Sequence, residues 1–355
     1  MNEPVFILKG NVVYSKNKDE LRILKDHYLI SESGLVKGVF EKVPPEYAQV
    51  SVSDYGECLI IPGLTDLHVH APQYTFRAMG MDMELLEWLE TNTFPEEAKY
   101  QDLEYARRAY RIFTDNLKRS VTTRACIFGT IHRDATLLLM DQLEQSGLVT
   151  YVGKVNMDRN CPDYLREESA EESGIQTVEW IKDVLHKKYQ NTMPILTPRF
   201  TPSCSDELME NLKKIQMYYQ IPVQSHLSEN PGEIAWVKEL CPWSEFYGDA
   251  YDRFGLFGAD CKTVMAHCVY SGKRRAAANE RKRSIYRPLS GIQYELVIGG
   301  WRRFGHSWRK ECMWELEVMW QGAPQKSLFK AMALAIQASK LRWRMQDDSL
   351  KPLTL

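Results

Sequence analysis

The feature that most constrains this chain is an alternation of short apolar runs with long helical segments, which begins after Gly63. Six short runs follow one another: LTDLHVH, VTTRACIFG, VTYVGKVNMD, MPILTPRF, IPVQSHLSEN and CKTVMAHCVY. Between the fourth and fifth runs, SDELMENLKKIQMYYQ repeats apolar residues at helical spacing behind Ser205, which is placed as an N-cap. This alternation predicts parallel strands covered by helices, and a (β/α)8 barrel of the TIM-like type is the expected closure.

The residues before Gly63 follow a different pattern. Residues 5–61 alternate short β-rich runs, VFILKGNVVYS, HYLISESGLVKGVF and ECLIIPG, with turn residues. That pattern predicts a small β-sandwich or sheet rather than helices. We therefore expect two domains: the N-terminal part of a small β-sandwich domain over residues 1–62, and an α/β barrel over residues 63–355.

Composition and charge exclude several classes of protein. Lys and Arg number 45 against 47 Asp and Glu, a formal charge of −2, so the chain as a whole does not attract nucleic acid or anionic lipid. No apolar run is long enough to cross a bilayer, and the N-terminus lacks the pattern of an export signal. We therefore expect a cytoplasmic protein that acts on a small, neutral molecule and has no nucleic-acid or membrane partner.

The cysteines give no sign of a structural cross-link. Eight of them are scattered along the chain, and no C-x-x-C pair occurs. Neither a disulfide framework nor a thiolate zinc site is indicated, so we expect reduced thiols that mostly fill the core.

Polar residues fall at the ends of four of the predicted strands. His68 and His70 end the first run, Arg199 lies at the end of the fourth, and His226 and His267 end the fifth and sixth. The chemistry of a (β/α)8 barrel lies at these strand ends. Because residues i and i+2 of a strand share one face, the two histidines of the first run can present adjacent imidazoles to a metal ion. The alternative is a pair of hydrogen-bonded, partly exposed histidines.

A site made only of neutral imidazoles leaves the charge of a divalent cation uncompensated, so a carboxylate or hydroxide ligand is also expected. Glu229 lies three residues after His226 and can join such a site. It can equally act as a proton shuttle. The remaining interpretation is a solvated loop acid.

Four motifs, PGLTDLHVHAPQYTFR, TPRFTPSCS, SHLSEN and AHCVYSG, occur in this order and resemble the guanine deaminases of the amidohydrolase superfamily. The resemblance runs from about residue 5 to Gly272 and resumes near Ser327. The His-x-His pair alone fits many amidohydrolases, whereas its combination with APQY, PRF and SHLSEN is specific to guanine deaminases.

The resemblance implies a role for each matching residue. The implied metal ligands, usually for zinc although iron also suits imidazole, are His68, His70 and His226. The implied substrate-contacting residues are His70, Gln73, Arg199, Phe200, His226 and Glu229. The implied catalytic residues are Glu229, as the proton shuttle, and His267, beside the metal-bound water.

The implied reaction is the hydrolytic deamination of guanine to xanthine and ammonia by a metal-activated water. Family members are often dimers, so the resemblance also implies a homodimer. One alternative is another amidohydrolase that acts on a different ring, such as a cytosine or triazine hydrolase. Another is a metal-binding remnant without activity. The H-x-E and P-C-x-x-C motifs of the zinc deaminases of a different fold do not occur in this chain.

The sequence departs from the family pattern after Gly272. The family carries an aspartate at the end of the eighth strand, in a G-x-G-S-D-like motif, and no such motif occurs here. Instead, KRRAAANERKR places six basic residues in eleven, and four of the nine tryptophans fall between Trp301 and Trp320. A genuine basic and aromatic insertion that binds RNA or a protein partner is one interpretation.

A shift of reading frame is the interpretation that we favour. Back-translation of Ile285–Gly300, read one base later, permits Y-I-A-H-C-P-E-S-N-T-N-L-S-S-G, which resembles the H-C-P-x-S-N stretch of the family. Cys312–Pro324 read two bases along permits G-A-G-S-D-V-A-G-G-A, which contains the missing motif. We therefore predict that residues 273–326 are frameshifted and non-native, and that the family's C-terminal segment is missing. Without the aspartate, the chain as written is expected to have little or no turnover.

Overall fold

The computed structural model describes residues 4–17, 20–80, 82–257, 262–268, 270, 285–286 and 328–345. The chain divides into two compact units, residues 1–63 and residues 64–355. Nearly all of the segment 273–326, to which the frameshift prediction applies, lies outside the described residues. The prediction that a C-terminal segment is missing also concerns residues outside this part of the chain.

Unit 1 contains a four-stranded sheet. Its strands are β1 (Val5–Asn17), β2 (Glu20–Glu32), β3 (Leu35–Phe40) and β4 (Val52–Ile60). The spatial order is β3-β2-β1-β4, in which β1 pairs antiparallel with β2 and parallel with β4. Ser33 and Gly34 both have positive φ, 55° and 76°, as a two-residue hairpin turn requires, and this turn joins β2 and β3 edge to edge. The described residues of unit 1 therefore form one four-stranded sheet, and the β-sandwich domain stays a prediction.

Unit 2 contains the alternation of strands and helices. Its strands are β5 (Leu64–His70), β6 (Thr122–Phe128), β7 (Val149–Gly153), β8 (Val155–Asn156), β9 (Thr192–Pro194), β10 (Thr197–Pro198), β11 (Val223–Leu227), β12 (Thr263–His267) and β13 (Ile285–Tyr286). Its helices are α1 (Leu85–Trp88), α2 (Phe94–Ala98), α3 (Leu103–Lys118), α4 (Arg133–Ser146), α5 (Ala170–Lys187), α6 (Asp206–Tyr219), α7 (Pro231–Leu240), α8 (Asp249–Asp252) and α9 (Leu328–Met345).

The strand pairs of unit 2 within the described ranges are all parallel. They form the groups β5-β6-β7-β9, β8-β10 and β11-β12-β13. A parallel bridge between Leu196 and Val223 joins the strand region around β10 to β11. Successive strands along the chain are thus neighbours in space and helices separate most of them, which confirms the predicted parallel α/β architecture.

Helix α6 forms as its sequence predicts. The Ser205 hydroxyl accepts a hydrogen bond from the Leu208 backbone N–H at 3.1 Å and satisfies a donor that the first turn leaves open. Leu208, Leu212 and Ile215 recur on one face and are buried in the core. The helix ends at Gln220, whose left-handed φ of 54° turns the chain toward β11.

Two further expectations concern membranes and thiols. In the described part of the chain, no helix combines the length and the apolar composition that a membrane span requires. The described cysteines are free, in agreement with the expected thiols: Cys58, Cys126, Cys161, Cys204, Cys241 and Cys268.

A buried ion pair fixes the chain between β7 and α5. Lys154 and Glu167 are paired with only 1% and 6% of their surfaces exposed. The Glu167 carboxylate also accepts hydrogen bonds from the Met157 backbone N–H at 2.9 Å and from the Ser173 hydroxyl at 2.6 Å. Loss of either charge would leave its partner ionised without compensation in an apolar region.

We predict that Lys154→Met lowers the free energy of unfolding by about 3–5 kcal/mol, because it leaves the Glu167 carboxylate buried and without its cation. Urea-induced unfolding monitored by tryptophan fluorescence measures the change. The matched control is Lys187→Met, which removes a pair with Asp141 whose side chains are 35% and 36% exposed and should change stability by less than about 1 kcal/mol. Equal losses in the two variants would contradict the prediction.

Candidate active site

Four histidines from three strands meet in the interior of unit 2. His68 and His70 lie at the end of β5, His226 is in β11 and His267 ends β12. All four are buried. The ring centre of His68 lies 4.8 Å from that of His70, 4.9 Å from that of His226 and 5.0 Å from that of His267. The structure therefore brings together all the strand-end histidines that the sequence predicted.

The grouping of nitrogen atoms differs in one respect from the predicted ligand set. One ring nitrogen each of His68, His226 and His267 lies within 4.8 Å of the other two. The sequence placed His70 in this set and His267 beside it. His70 is close as well, because its Nε2 atom lies 2.9 Å from Nε2 of His226. The cluster thus offers four candidate donors.

The chemistry of this donor set fits a divalent metal ion. The Nδ1 atom of His226 lies 2.6 Å from the Arg199 carbonyl oxygen, to which it donates, so Nε2 keeps its lone pair toward the cluster. Burial lowers the pKa of His226 to about 3 and that of His70 well below its usual 6.5, so both rings stay neutral. Neutral imidazole nitrogens are the ligands that zinc and iron accept.

A strained turn places His267 at the end of β12. His267 and Cys268 both have left-handed backbone angles, with φ of 69° and 54°, which residues other than glycine rarely adopt. The Cys268 N–H donates to the Leu227 carbonyl at 2.7 Å and fastens this turn to the end of β11. The Glu229 carboxyl lies 3.2 Å from Nε2 of His267. The turn therefore brings the acid and the histidine cluster together.

The carboxyl group of Glu229 is buried in the same region. Burial, and to a smaller extent the neighbouring Glu233, raise its pKa well above the usual 4.5. Glu229 therefore holds a proton at pH values at which an exposed glutamate is ionised. A buried, protonated carboxyl beside a cavity can deliver that proton to a ligand.

The loop that carries Glu229 is fixed by residues that sequence reasoning missed. The Asn230 side chain accepts from the Glu233 N–H at 3.1 Å and caps α7. The Glu233 carboxyl accepts from the Glu229 N–H at 2.8 Å and from the Tyr247 hydroxyl at 2.7 Å, and burial raises its pKa to about 7. The spacing of Asn230 and Glu233 matches a capping box, a signal that could have identified them.

Gln73, Arg199 and Phe200 line the same cavity as three of the histidines. Gln73 is in the helical turn after β5, and Arg199 and Phe200 follow β10. All three are buried. Sequence reasoning missed Glu97 of α2, whose carboxylate accepts from Nη1 of Arg199 at 2.6 Å and from Nε2 of Gln73 at 2.8 Å. Phe94 of α2 lies under the Arg199 guanidinium at 5.2 Å. No motif in FPEEA signals these contacts.

One cavity connects these groups. It has a volume of about 30 Å³, and its apolar lining includes Leu85, Trp88 and Leu89. The predicted residues that line it are His70, Gln73, Arg199, Phe200, His226, Glu229 and His267. A water molecule needs roughly 10–15 Å³ of such a cavity, so the lining side chains must move to admit a ring-sized ligand.

Comparison with known proteins identifies the class of this chain. The family model described as "Amidohydrolase family" matches residues 59–288, which is more than half of the chain. The chain therefore belongs to the amidohydrolase family, whose members are hydrolytic and typically metal-dependent.

Particular members of the family are similar to this chain. Guanine deaminases of Dictyostelium discoideum and Homo sapiens are 38% and 39% identical to it, over 76% and 79% of this chain and 63% of each relative. A solved structure of guanine deaminase from C. acetobutylicum, with guanine bound in the active site, matches with a TM-score of 0.92 and 40% identity, over 99% of this chain and 83% of that one.

These comparisons confirm two predictions, and they leave the predicted activity as a proposal. They confirm the resemblance to guanine deaminases and the TIM-barrel type of α/β fold. The chain spans about 63% of the length of the two sequence relatives. Its activity, substrate and partners are therefore matters of proposal.

We predict that His226→Ala lowers zinc affinity by at least about 100-fold, because it removes a donor whose orientation the Arg199 carbonyl fixes. Competition with a chromophoric chelator at pH 7 measures the affinity. The matched control is His186→Ala, which changes an exposed histidine of α5 and should leave the affinity unchanged. Zinc binding of equal strength in both variants would show that the cluster is not a metal site.

Proposed function

We propose that this chain is a guanine deaminase, which hydrolyses guanine to xanthine and ammonia. The observation that carries the proposal is one buried cavity that joins a histidine cluster to Gln73, Arg199 and Phe200. A metal site alone would fit many hydrolases. The added polar pair and aromatic ring suit a flat, neutral, hydrogen-bonding base.

The proposed cofactor is zinc, with iron as the alternative, because both accept imidazole ligands. The proposed ligands are those that the resemblance implies, His68, His70 and His226. His267 is the further candidate donor, since its ring nitrogen groups with two of them. When bound, such a cation supplies an activated water as the nucleophile.

The chain's own residues provide recognition and proton transfer. Arg199 would donate to the purine carbonyl, and Phe200, which is held edge-on by Trp236 at 6.1 Å, would pack on the ring. Glu229 would deliver its proton to the ring nitrogen next to the reacting carbon and so assist the departure of ammonia. His267, 3.2 Å from Glu229, would orient that carboxyl.

Three further predictions belong to this proposal. The proposed frameshift in 273–326 removes the family's aspartate. We therefore expect the chain as written to bind guanine but to show little or no turnover. A homodimer and a cytoplasmic location follow from the resemblance and the sequence. DNA sequencing across codons 272–327 tests the frameshift directly.

We predict that purified, zinc-loaded chain binds guanine and that its frame-restored counterpart releases ammonia from guanine but not from cytosine or a triazine. Arg199→Ala should weaken guanine binding by about 10- to 100-fold, because it removes charge-assisted hydrogen bonds. Arg111→Ala, at an exposed position of α3, is the control. Release of ammonia from cytosine or a triazine instead would favour a different amidohydrolase, and zinc binding without any base binding would favour an inactive remnant.

We also predict that Glu229→Gln in the frame-restored chain lowers kcat by about 10²- to 10⁴-fold with guanine affinity nearly unchanged, because the amide keeps the shape and loses the proton. Steady-state ammonia release and equilibrium binding separate the two quantities. Glu239→Gln, at an exposed position of the adjacent helix α7, should behave as the parent does. A kcat within a few-fold of the parent would remove Glu229 from the proton-transfer role.

A further inference from the structure

The hydroxyl group of Tyr251 bonds two segments that carry candidate site residues. Tyr251 lies in α8, and its side chain is fully buried. Its hydroxyl donates to the His226 backbone carbonyl at 2.8 Å and accepts from the Thr201 backbone N–H at 3.1 Å. His226 is in β11, and Thr201 directly follows Arg199 and Phe200, which line the cavity. One hydroxyl therefore connects a candidate metal ligand to a neighbouring wall of the site.

A second hydrogen bond between the same two segments closes a circuit. The Nδ1 atom of His226 donates to the Arg199 carbonyl at 2.6 Å. The imidazole is thus attached to the segment after β10 through its ring, and the backbone of the same residue is attached to that segment through Tyr251. Two attachments to one residue restrict rotation of the side-chain bonds that lie between them. The direction in which Nε2 of His226 points is thereby fixed.

Strand β10 is too short to supply this attachment itself. It contains only Thr197–Pro198, and proline has no N–H to donate to a neighbouring strand. The next residue, Arg199, donates its N–H to the Asn156 carbonyl of β8 at 3.2 Å. The donor to the His226 carbonyl is instead the side chain of Tyr251.

Tyr251 is itself held in place from several sides. Its ring stacks on that of Tyr247, with the ring centres 5.8 Å apart and 13° between the planes. Its backbone carbonyl accepts from the Leu256 N–H at 3.1 Å. The Ser225 hydroxyl oxygen lies 2.9 Å from the Tyr251 oxygen and 2.6 Å from the Pro198 carbonyl oxygen. A hydroxyl that is fixed in this way can restrict its partners, because it cannot follow their movement.

We propose that Tyr251 is a positioning residue for the metal site, which fixes the backbone of His226 relative to the Arg199 carbonyl and so aims the His226 ring at the cation. The proposal deepens the proposed function and rests on it for the presence of a metal ion. Tyr251 is not among the residues that line the cavity, so it acts on the cation through His226.

A tyrosine that only supported the fold would behave differently. Its loss would lower the free energy of unfolding of the metal-free chain and leave the coordination of a bound ion unchanged. Loss of a positioning residue changes both the affinity for the ion and its coordination. Cobalt(II) reports the coordination, because it accepts imidazole ligands as zinc does and, unlike zinc, has visible absorption bands that depend on its ligands.

The experiment compares the full parent chain with Tyr251→Phe and Tyr110→Phe. Tyr251→Phe keeps the ring and removes the hydroxyl, so it should lower zinc affinity by about tenfold or more, as loss of groups that orient metal ligands does. Competition with a chromophoric chelator measures this affinity, and the visible spectrum of the cobalt-loaded chain should shift. Tyr110→Phe is the matched control, since it removes an equally buried hydroxyl from α3 and should keep the parent's zinc affinity and cobalt spectrum.

Ser225→Ala provides a second variant in case circular dichroism shows that Tyr251→Phe does not fold. It removes the hydroxyl between the Tyr251 oxygen and the Pro198 carbonyl, so it should lower zinc affinity by at least about threefold. An unchanged zinc affinity in folded Tyr251→Phe, or in Ser225→Ala where the first variant does not fold, overturns the proposal. A lower affinity with an unchanged cobalt spectrum also overturns it, and so does an equal loss of affinity in Tyr110→Phe.

Guanine binding, measured on the same zinc-loaded chains, keeps this proposal distinct from the proposed function. If Tyr251→Phe weakens zinc binding as expected but the parent does not bind guanine, the role of Tyr251 is supported and the guanine deaminase function is overturned. If the parent binds both zinc and guanine and Tyr251→Phe has no effect on zinc, the role of Tyr251 alone is overturned. A parent that binds no zinc overturns both.

Discussion

The parallel arrangement of the strands is the constraint on which the site depends. The carboxyl ends of parallel strands lie at the same edge of the sheet, so residues that are far apart in the sequence lie close together there. β5, β11 and β12 each end in or next to a histidine, and the rings come within about 5 Å of one another. The loop after β11 adds Glu229, and the segment after β10 adds Arg199. The chemistry is therefore a consequence of where strands end.

Burial then sets the protonation state of these groups. The same desolvation that lowers the pKa of His70 and His226 raises that of Glu229, because in each case the charged form loses water. The imidazoles are left neutral, as ligands must be, and the carboxyl is left protonated, as an acid must be. One physical effect is thus the largest cause of all three pKa shifts, and neighbouring charges such as Glu233 beside Glu229 add to it.

The sequence predicted those parts of the structure that depend on strand ends and local signals. The strand-end histidines follow from the alternation of runs, and the Ser205 cap follows from residue type and spacing. The grouping of His267 with His68 and His226 did not follow, because which nitrogens converge depends on the orientation of each ring, which strand-end positions do not determine. Glu97 was missed because its hydrogen-bond partners, Gln73 and Arg199, lie 24 and 102 positions away in the sequence. A buried acid in a short helix has no sequence pattern.

The two carboxyl groups near the cavity show how environment divides one residue type into two roles. Glu97 is paired with the permanent cation Arg199, so its charge is compensated and it serves as an acceptor. Glu229 lies beside another acid, Glu233, and is buried, so its proton is retained. An exchange of these surroundings would exchange the roles, since the side chains are identical. The position of Arg199 and the protonation of Glu229 therefore both depend on the groups that surround these two side chains.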